Sequence, residues 1–164
     1  NHSDVYVEKF RILENPEALD RLCQAMAAHF RDSRIELVVG AAIGGILLAG
    51  GVGRHLGVRH IFAERVNGKL EFRRGFLVSP GTRVLIVEDI VTTGGSVMEL
   101  IDLLKENDAE IIGIVEMVDR SKNGISFDPI TKTLLKLPSQ SWKPENCPLC
   151  KQSIPLTSRG RSGK

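Results

Sequence analysis

The chain has 164 residues, of which 42% are hydrophobic and 26% are charged, and its formal net charge is +2. This length predicts one domain whose core is large enough to fold without disulfides or metals. The composition excludes disordered, collagen-like and disulfide-scaffold chains, and so small a net charge does not by itself indicate nucleic-acid binding. The three cysteines, an odd number, favour a reducing, cytoplasmic setting.

The longest stretch without a charged residue, 37–53, contains six glycines and falls short of the roughly 20 apolar residues that a membrane-spanning helix needs. It is better interpreted as a strand, a tight loop and a helix. No basic region followed by an apolar run opens the chain, so a secretory signal peptide is not expected. We therefore predict no membrane partner.

Short apolar runs alternate with helical patterns along the chain, which is typical of a parallel α/β sheet. The patterns predict helices over 15–30, 45–56 and 96–106, and strands over 35–39, 58–63, 84–87, 111–118 and 131–137. The fold class is thus α/β, an open, mainly parallel twisted sheet flanked by helices. We expect one domain over 1–138 and a C-terminal extension over 139–164, which ends in a disordered basic tail over 157–164.

Residues 84–96 hold the most chemical information. An apolar strand ends in Glu88 and Asp89, and hydroxyls and glycines then lead into a helix. Ligands of such sheets bind beyond the carboxyl ends of the strands, where helix N-termini offer free N–H groups to phosphates. Carboxylates beside a phosphate would repel it unless they contact sugar hydroxyls or Mg²⁺ brought by the ligand. The pattern favours a sugar phosphate site over a plain turn capped by Ser96 with two solvated acids.

This segment closely resembles the signature of type I phosphoribosyltransferases, which bind phosphoribosyl pyrophosphate (PRPP). The resemblance implies that the two acids contact the ribose hydroxyls and that the loop holds the 5-phosphate. The implied PRPP-binding residues are Glu88, Asp89, Ile90, Val91, Thr92, Thr93, Gly94, Gly95 and Ser96. The cofactor implied is Mg²⁺, carried by PRPP and without direct protein ligands. The segment has neither the ending of a nucleotide P-loop nor the glycine pattern of dinucleotide binders.

Three further stretches resemble the orotate branch of this family. The first follows the strand at 38–39, where Ala41, Ala42, Ile43 and Gly44 resemble the pyrophosphate loop. Small residues there let the backbone approach a ligand and offer N–H donors. Many orotate enzymes have a lysine in this loop and this chain does not. The alternative is an ordinary strand-to-helix turn.

The second stretch, 62–74, lies where the family has a mobile catalytic loop. Its cations would stabilise the charge that grows on a departing pyrophosphate, and the resemblance implies catalytic roles for Arg65, Lys69 and Arg73 together with Asp89. The better-known enzymes have Arg-Lys and a later histidine here, whereas this chain has Glu64-Arg65 and no histidine. The alternative is a solvated hairpin that turns at residues 67–68.

The third stretch, Met117-Val118-Asp119-Arg120, ends a core strand. In orotate enzymes an arginine here holds the pyrimidine, because guanidinium suits a planar, carboxylate-bearing base. The resemblance implies that Arg120 and Thr92 contact orotate; a surface arginine at a strand end is the alternative. Residues 3–10 resemble the region that borders the base pocket. On that alignment a helix and a substrate-side lysine lie before Asn1, so the hood over the pocket is expected to be partly missing.

Cys147-Pro148-Leu149-Cys150 has the spacing of half a zinc knuckle, which supplies two of the four ligands of a structural zinc. His29, His55 and His60 would complete a site only by chance of folding, and a second subunit is the other source. Free thiols are therefore favoured over a zinc site shared across a dimer.

The resemblance implies an enzyme of pyrimidine (UMP) biosynthesis, a homodimer that joins orotate to PRPP and releases pyrophosphate and orotidine 5′-monophosphate. Two alternatives stay open. One is the same transfer to another base, a purine or uracil, against which Arg120 argues. The other is a non-catalytic regulator that senses PRPP, perhaps on nucleic acid, and only the basic tail supports it. Its test is the salt dependence of nucleic-acid affinity.

Overall fold

Six strands form the central sheet of the computed structural model, which describes residues 2–155. Six of the eight strands in the described residues belong to this sheet, and β1 and β8 form a separate pair. In chain order the strands are β1 (His2–Ser3), β2 (Leu37–Ala41), β3 (Arg59–Val66), β4 (Lys69–Phe72), β5 (Arg83–Val91), β6 (Glu110–Asp119), β7 (Ile130–Lys136) and β8 (Ser141–Trp142). The sheet has the order β4-β3-β2-β5-β6-β7, and only the β3–β4 pair is antiparallel. The predicted open, mainly parallel α/β sheet is confirmed.

Helices lie on both faces of this sheet. They are α1 (Phe10–Leu13), α2 (Pro16–Ala28), α3 (Gly44–Leu56), α4 (Gly95–Glu106) and α5 (Pro148–Lys151), with a 3-10 turn at Pro144–Asn146. The start of α2 is set by its sequence. The Asn15 side chain accepts a hydrogen bond of 3.0 Å from the Ala18 N–H, and Pro16 occupies the first turn, where a missing N–H costs nothing. Within residues 2–155, none of the helices combines the length and the apolar character that crossing a membrane requires.

The central strands are continuous apolar runs because both of their faces are covered. In β5, Leu85 and Val87 pack with α2 and α3, whereas Val84 and Ile86 pack with α4. β2 is buried along its whole length, and β5 and β6 are buried along most of theirs. The carboxyl ends of these three strands therefore rest on a rigid, close-packed core.

β5 is longer than the predicted 84–87. It runs to Val91 because its ladder with β6 continues as far as the Val91–Asp119 pair. Glu88 and Asp89 therefore belong to the strand rather than to the loop after it, which corrects the boundary predicted from the apolar run. Backbone hydrogen bonds between neighbouring strands hold the ladder where polar side chains interrupt the hydrophobic pattern.

The basic stretch 62–74 includes a β-hairpin that is formed by the end of β3 and by β4. β3 pairs with β4 from Ala63–Phe72 to Val66–Lys69. The two turn residues, Asn67 and Gly68, have φ values of +49° and +89°. Two positive φ values in a two-residue connection match the twist of paired strands. The hairpin that the sequence offered as an alternative is present, and the catalytic role of its cations stays a prediction.

The two ends of the described chain lie together. β1 pairs antiparallel with β8, so that His2 lies opposite Trp142 and Ser3 opposite Ser141. The Ser3 hydroxyl also donates a hydrogen bond of 2.8 Å to the Gln140 carbonyl. The first residues of the C-terminal extension therefore cover the N-terminal segment. The predicted basic tail, 157–164, lies outside the described residues.

Glu116 is a fully buried carboxylate in the middle of β6. Its Oε1 accepts a hydrogen bond of 3.1 Å from the Thr133 hydroxyl, and its Oε2 has no partner among the described residues. Burial raises the pKa of Glu116 from 4.5 to about 7, and the charge of Asp119 acts in the same direction. Between pH 4.5 and pH 7 the unfolded chain loses this proton while the folded chain keeps it, so stability falls as the pH rises through that window.

We expect Glu116→Gln to stabilise the protein more at about pH 8 than at about pH 5, with a difference of roughly 2–3 kcal/mol in the free energy of unfolding. The amide stays neutral, so it avoids the cost of ionising a buried carboxyl. Urea unfolding at the two pH values measures the difference. Glu106→Gln, on an exposed position of α4, is the control and should show none. An equal effect of Glu116→Gln at both pH values would contradict the prediction.

Candidate active site

A cleft of about 710 Å³ opens at the carboxyl ends of β2, β5 and β6. It is lined by residues 6–10, 41–43 and 88–90, together with Ser96 and Arg120. Parallel strands end at one edge of the sheet, which is where ligands of this fold class bind. The predicted pyrophosphate loop, the two acids and Arg120 thus lie around one space, although they are far apart along the chain.

Glycines allow the β2–α3 turn to reach this cleft. A Cβ atom on Gly40 would lie 2.3 Å from the Gly45 carbonyl oxygen, so the turn closes only without a side chain there. A Cβ atom on Gly44 would lie 1.7 Å from Oδ2 of Asp89. The start of α3 therefore packs directly against the Asp89 carboxylate, and an approach this close requires a residue without a side chain at position 44.

Asp89 forms an ion pair with Lys9, with Nζ and Oδ2 separated by 2.5 Å. Its Oδ1 accepts a hydrogen bond of 2.5 Å from the Ile90 N–H. The side chain of Asp89 is largely buried and that of Lys9 is about a quarter exposed, at 7% and 26%. A positively charged group on the N-terminal segment therefore holds this carboxylate at the wall of the cleft.

Glu88 is also buried, and its Oε1 accepts a hydrogen bond of 3.0 Å from the Asp89 N–H. Burial raises the pKa of Glu88 well above its ordinary value, and the negative charge of Asp89 adds to the effect. Glu88 therefore keeps a proton over a wider pH range than a solvated glutamate. A protonated carboxyl can both donate and accept a hydrogen bond, which suits a sugar hydroxyl.

A smaller cavity of about 60 Å³ adjoins the cleft, lined by Glu88 and by residues 90–97. The first N–H groups of α4 have no partners within the helix and the helix dipole is positive there, so the cavity suits a phosphate group. Gly94 precedes α4 with a φ of +77°, and a Cβ atom there would lie 2.7 Å from the Phe127 ring. The cap is this glycine, so the alternative of Ser96 as the cap is wrong.

Arg120, at the end of β6, is held by groups distant in sequence. Its Nε donates to the Ser139 hydroxyl at 3.1 Å, and its Nη2 donates to the Ser3 hydroxyl at 3.2 Å and to the Val5 carbonyl at 2.5 Å. These contacts fix the plane of the guanidinium at the wall of the cleft. Thr92, its predicted partner in orotate binding, lines the smaller cavity instead.

The predicted loop cations lie apart from these residues. Arg65 makes two hydrogen bonds to Glu99 on α4, of 2.8 Å and 3.0 Å. Lys69 and Arg73 are exposed on the hairpin segment. Of the residues that line the cleft of this chain, none is a loop cation. The assignment of Arg65, Lys69 and Arg73 to catalysis stays a prediction.

Sequence reasoning did not single out Lys9. The family resemblance placed residues 3–10 beside the base pocket and expected a substrate-side lysine only before Asn1. The available signal was a lysine within that segment, because two neighbouring carboxylates at a strand end favour a nearby cation. Its partner is Asp89, 80 residues later in the chain.

The cysteine pair does not line the cleft, and Cys23, Cys147 and Cys150 form no disulfide with one another. The histidine beside this pair is His2, which the sequence analysis did not consider. His55 instead lies 3.0 Å from Asp20 in the structure. The relevant histidine was missed because it is at the opposite end of the chain.

Known proteins share the sequence pattern of this chain over most of its length. The family model described as the phosphoribosyl transferase domain matches residues 10–149. Orotate phosphoribosyltransferase of Thermotoga maritima is 45% identical over 162 residues, which cover 99% of this chain and 87% of that protein. Orotate phosphoribosyltransferase of Chlorobium phaeobacteroides (strain DSM 266) is 44% identical over 159 residues, which cover 97% of this chain and 82% of that protein.

Solved structures share the fold at lower identity. UMP synthase of Leishmania donovani superposes with a TM-score of 0.68 at 22% identity, and the match covers 93% of this chain and 33% of that one. Adenine phosphoribosyltransferase of Rhodothermus marinus superposes with a TM-score of 0.67 at 22% identity, and the match covers 77% of this chain and 83% of that one.

Proposed function

The chain belongs to the phosphoribosyltransferase family, in its orotate branch, and on that premise we propose how its residues divide the transfer of a phosphoribosyl group from PRPP to orotate. Glu88 and Asp89 contact the ribose hydroxyls, and residues 90–96 hold the 5-phosphate. Residues 41–44 contact the pyrophosphate, and Arg120 holds orotate. One observation supports this division: apart from Gly44, which packs against Asp89, these groups border a single cleft and the phosphate-sized cavity that adjoins it.

The reaction is a displacement at the anomeric carbon of PRPP. A ring nitrogen of orotate forms the new bond as the bond to pyrophosphate breaks, and the ribose ring gains positive charge between the two. This chemistry requires no covalent intermediate with the protein. Catalysis then comes from positioning the two substrates and from stabilising charge as it develops. Lys9 is a positioning residue here, because it fixes Asp89 rather than contacting the reacting atoms.

The proposed substrate PRPP would bring Mg²⁺ with it. The donor set at the cleft supports this, since oxygen ligands suit Mg²⁺ but Asp89 is already paired with Lys9 and Glu88 with the Asp89 N–H. The ion would supply positive charge that offsets the negative charge of the pyrophosphate. The protein residues bind and orient the ribose and the base.

We further propose a cytoplasmic homodimer in which the hairpin of one chain supplies its cations, Lys69 and Arg73, to the cleft of the other chain. The support is that Lys69 and Arg73 are exposed and do not line the cleft of their own chain. A departing pyrophosphate needs cations. Among residues 2–155 of one chain, the cations that line the cleft are Lys9 and Arg120, and both are already paired with protein groups. Size-exclusion chromatography with light scattering tests the dimer.

The proposed function is tested by orotate consumption, followed by absorbance, with PRPP and Mg²⁺ present. We expect orotate to disappear only when all three are mixed, and pyrophosphate to appear in equal amount. Adenine, hypoxanthine and uracil are the control bases and should not be consumed. PRPP binding by calorimetry without turnover of orotate would overturn the assignment, and so would turnover of a control base alone.

A further inference from the structure

His2, Cys147 and Cys150 meet outside the active-site cleft, where the two ends of the described chain come together. One ligand atom from each, a ring nitrogen and two sulfurs, lie within 4.8 Å of one another. Nδ1 of His2 is 3.4 Å from Sγ of Cys150, and the Cys150 N–H donates to Sγ of Cys147 at 3.3 Å. His2 and Cys147 are buried and Cys150 is exposed.

We propose that these three side chains bind a structural Zn²⁺ ion. Two thiolates two residues apart and one imidazole form a donor set that zinc prefers, whereas magnesium and calcium prefer oxygen. The ligand atoms lie within 4.8 Å of one another, at most about 1 Å more than neighbouring corners of a tetrahedron around zinc, so binding needs small side-chain movements. The two thiol protons leave to solvent as the zinc–sulfur bonds form. Because Cys150 is exposed, a water molecule has access to the fourth position.

The backbone around the cysteines supports the same conclusion. Residues 147–150 form a tight turn in which an N–H group points at the first sulfur. A hydrogen bond of this kind stabilises a thiolate, which is the form that binds metal. The buried imidazole of His2 makes its only side-chain hydrogen bond within the described residues to Cys150. A metal ion would satisfy that ring nitrogen and both sulfurs at once.

The ion would connect the N-terminal segment to the C-terminal extension. His2 pairs with Trp142 through β1 and β8, and the next residue, Ser3, accepts a hydrogen bond from Arg120 at the cleft. The site therefore closes a loop of almost the whole chain beside the proposed orotate pocket. We expect metal removal to lower the melting temperature and to raise KM for orotate more than KM for PRPP.

The test does not depend on activity. The full chain is reconstituted with zinc under reducing conditions, desalted, and analysed for metal content and by native mass spectrometry. We expect one zinc ion per chain, and loss of that ion in His2→Gln, Cys147→Ser and Cys150→Ser. The matched controls are His29→Gln, an exposed histidine on the chain, and Cys23→Ala, the third free cysteine; both should keep the ion.

Cobalt gives a second readout, which distinguishes direct coordination of the metal by these residues from support of the fold without coordination. Co²⁺ bound by two thiolates and one imidazole in a tetrahedral site shows intense sulfur-to-metal absorption and strong visible bands. We expect this spectrum from the parent chain and from both controls. Metal-free parent protein after reconstitution would overturn the proposal. Retention of the ion by His2→Gln, Cys147→Ser or Cys150→Ser under the same reducing conditions would also overturn it.

Discussion

Replacing Gly44 by alanine is expected to lower kcat/KM for the transfer reaction by roughly 100-fold while the chain stays folded. The added Cβ would lie 1.7 Å from Oδ2 of Asp89 and 2.8 Å from its Cγ. The Asp89 carboxylate is the end of a side chain, so it would rotate away instead of disrupting the core. Rotation breaks its ion pair with Lys9 and displaces it from the proposed ribose site. A displacement of about 1 Å in a positioned group costs about this much in rate.

Steady-state kinetics with orotate and PRPP measures the loss, and circular dichroism with thermal melting checks the fold. Gly50→Ala is the matched control, since Gly50 lies in the same helix and its new Cβ would come no closer than 3.6 Å to any neighbouring group, the His60 ring. That variant should retain its activity, and replacing a mid-helix glycine should stabilise the helix by about 1 kcal/mol. Unchanged kcat/KM in Gly44→Ala would show that the contact of the turn with Asp89 is irrelevant to the reaction.

Arg120→Ala is expected to raise KM for orotate by roughly 10-fold to 100-fold, with a much smaller effect on KM for PRPP. A charge-assisted hydrogen bond to a bound carboxylate or carbonyl contributes about 1.5–3 kcal/mol. Arg120→Lys should not restore binding, because the guanidinium is held in its plane by three donor contacts that one ammonium group cannot reproduce. Initial rates at varied orotate and fixed saturating PRPP, then the reverse, separate the two constants.

Two further variants distinguish substrate binding from support of the fold. Ser139→Ala removes one hydrogen bond to Arg120 but keeps its charge, so KM for orotate should rise much less. Arg21→Ala removes an exposed arginine of α2 and should change neither constant. If Arg120→Ala raised KM for PRPP and left KM for orotate unchanged, Arg120 would belong to the PRPP site and its proposed role would be rejected.

Much of the candidate site could be predicted because its parts are local in sequence. The apolar run before Glu88 predicts a strand, and the glycines and hydroxyls after it predict a turn into a helix. The same reasoning applies to residues 41–44, which follow β2 directly. Strand order in a parallel sheet then brings these turns to one edge. The family resemblance added the roles of these residues, which local patterns alone do not distinguish.

The positions of the hairpin cations could not be predicted from local sequence. Charge composition indicates that Arg65, Lys69 and Arg73 are solvated or bind an anion. It does not indicate whether they reach the cleft of their own chain or that of a second chain. The structure places Arg65 on Glu99 and leaves Lys69 and Arg73 exposed. Side chains of surface cations have many partners of similar energy, and neighbouring elements select among them. The predicted length of β5 failed for a related reason, because its last pairs depend on β6.

By itself, the sequence determined the α/β class, the order of most helices and strands, and the acid and glycine turns at strand ends. These features depend on residues that are close along the chain. Only the tertiary structure decided that Lys9 meets Asp89, that Val5 holds Arg120 and that His2 joins Cys150. These partners are 80, 115 and 148 residues apart. No local pattern encodes such contacts, because they form only when the folded sheet brings together segments that are far apart along the chain.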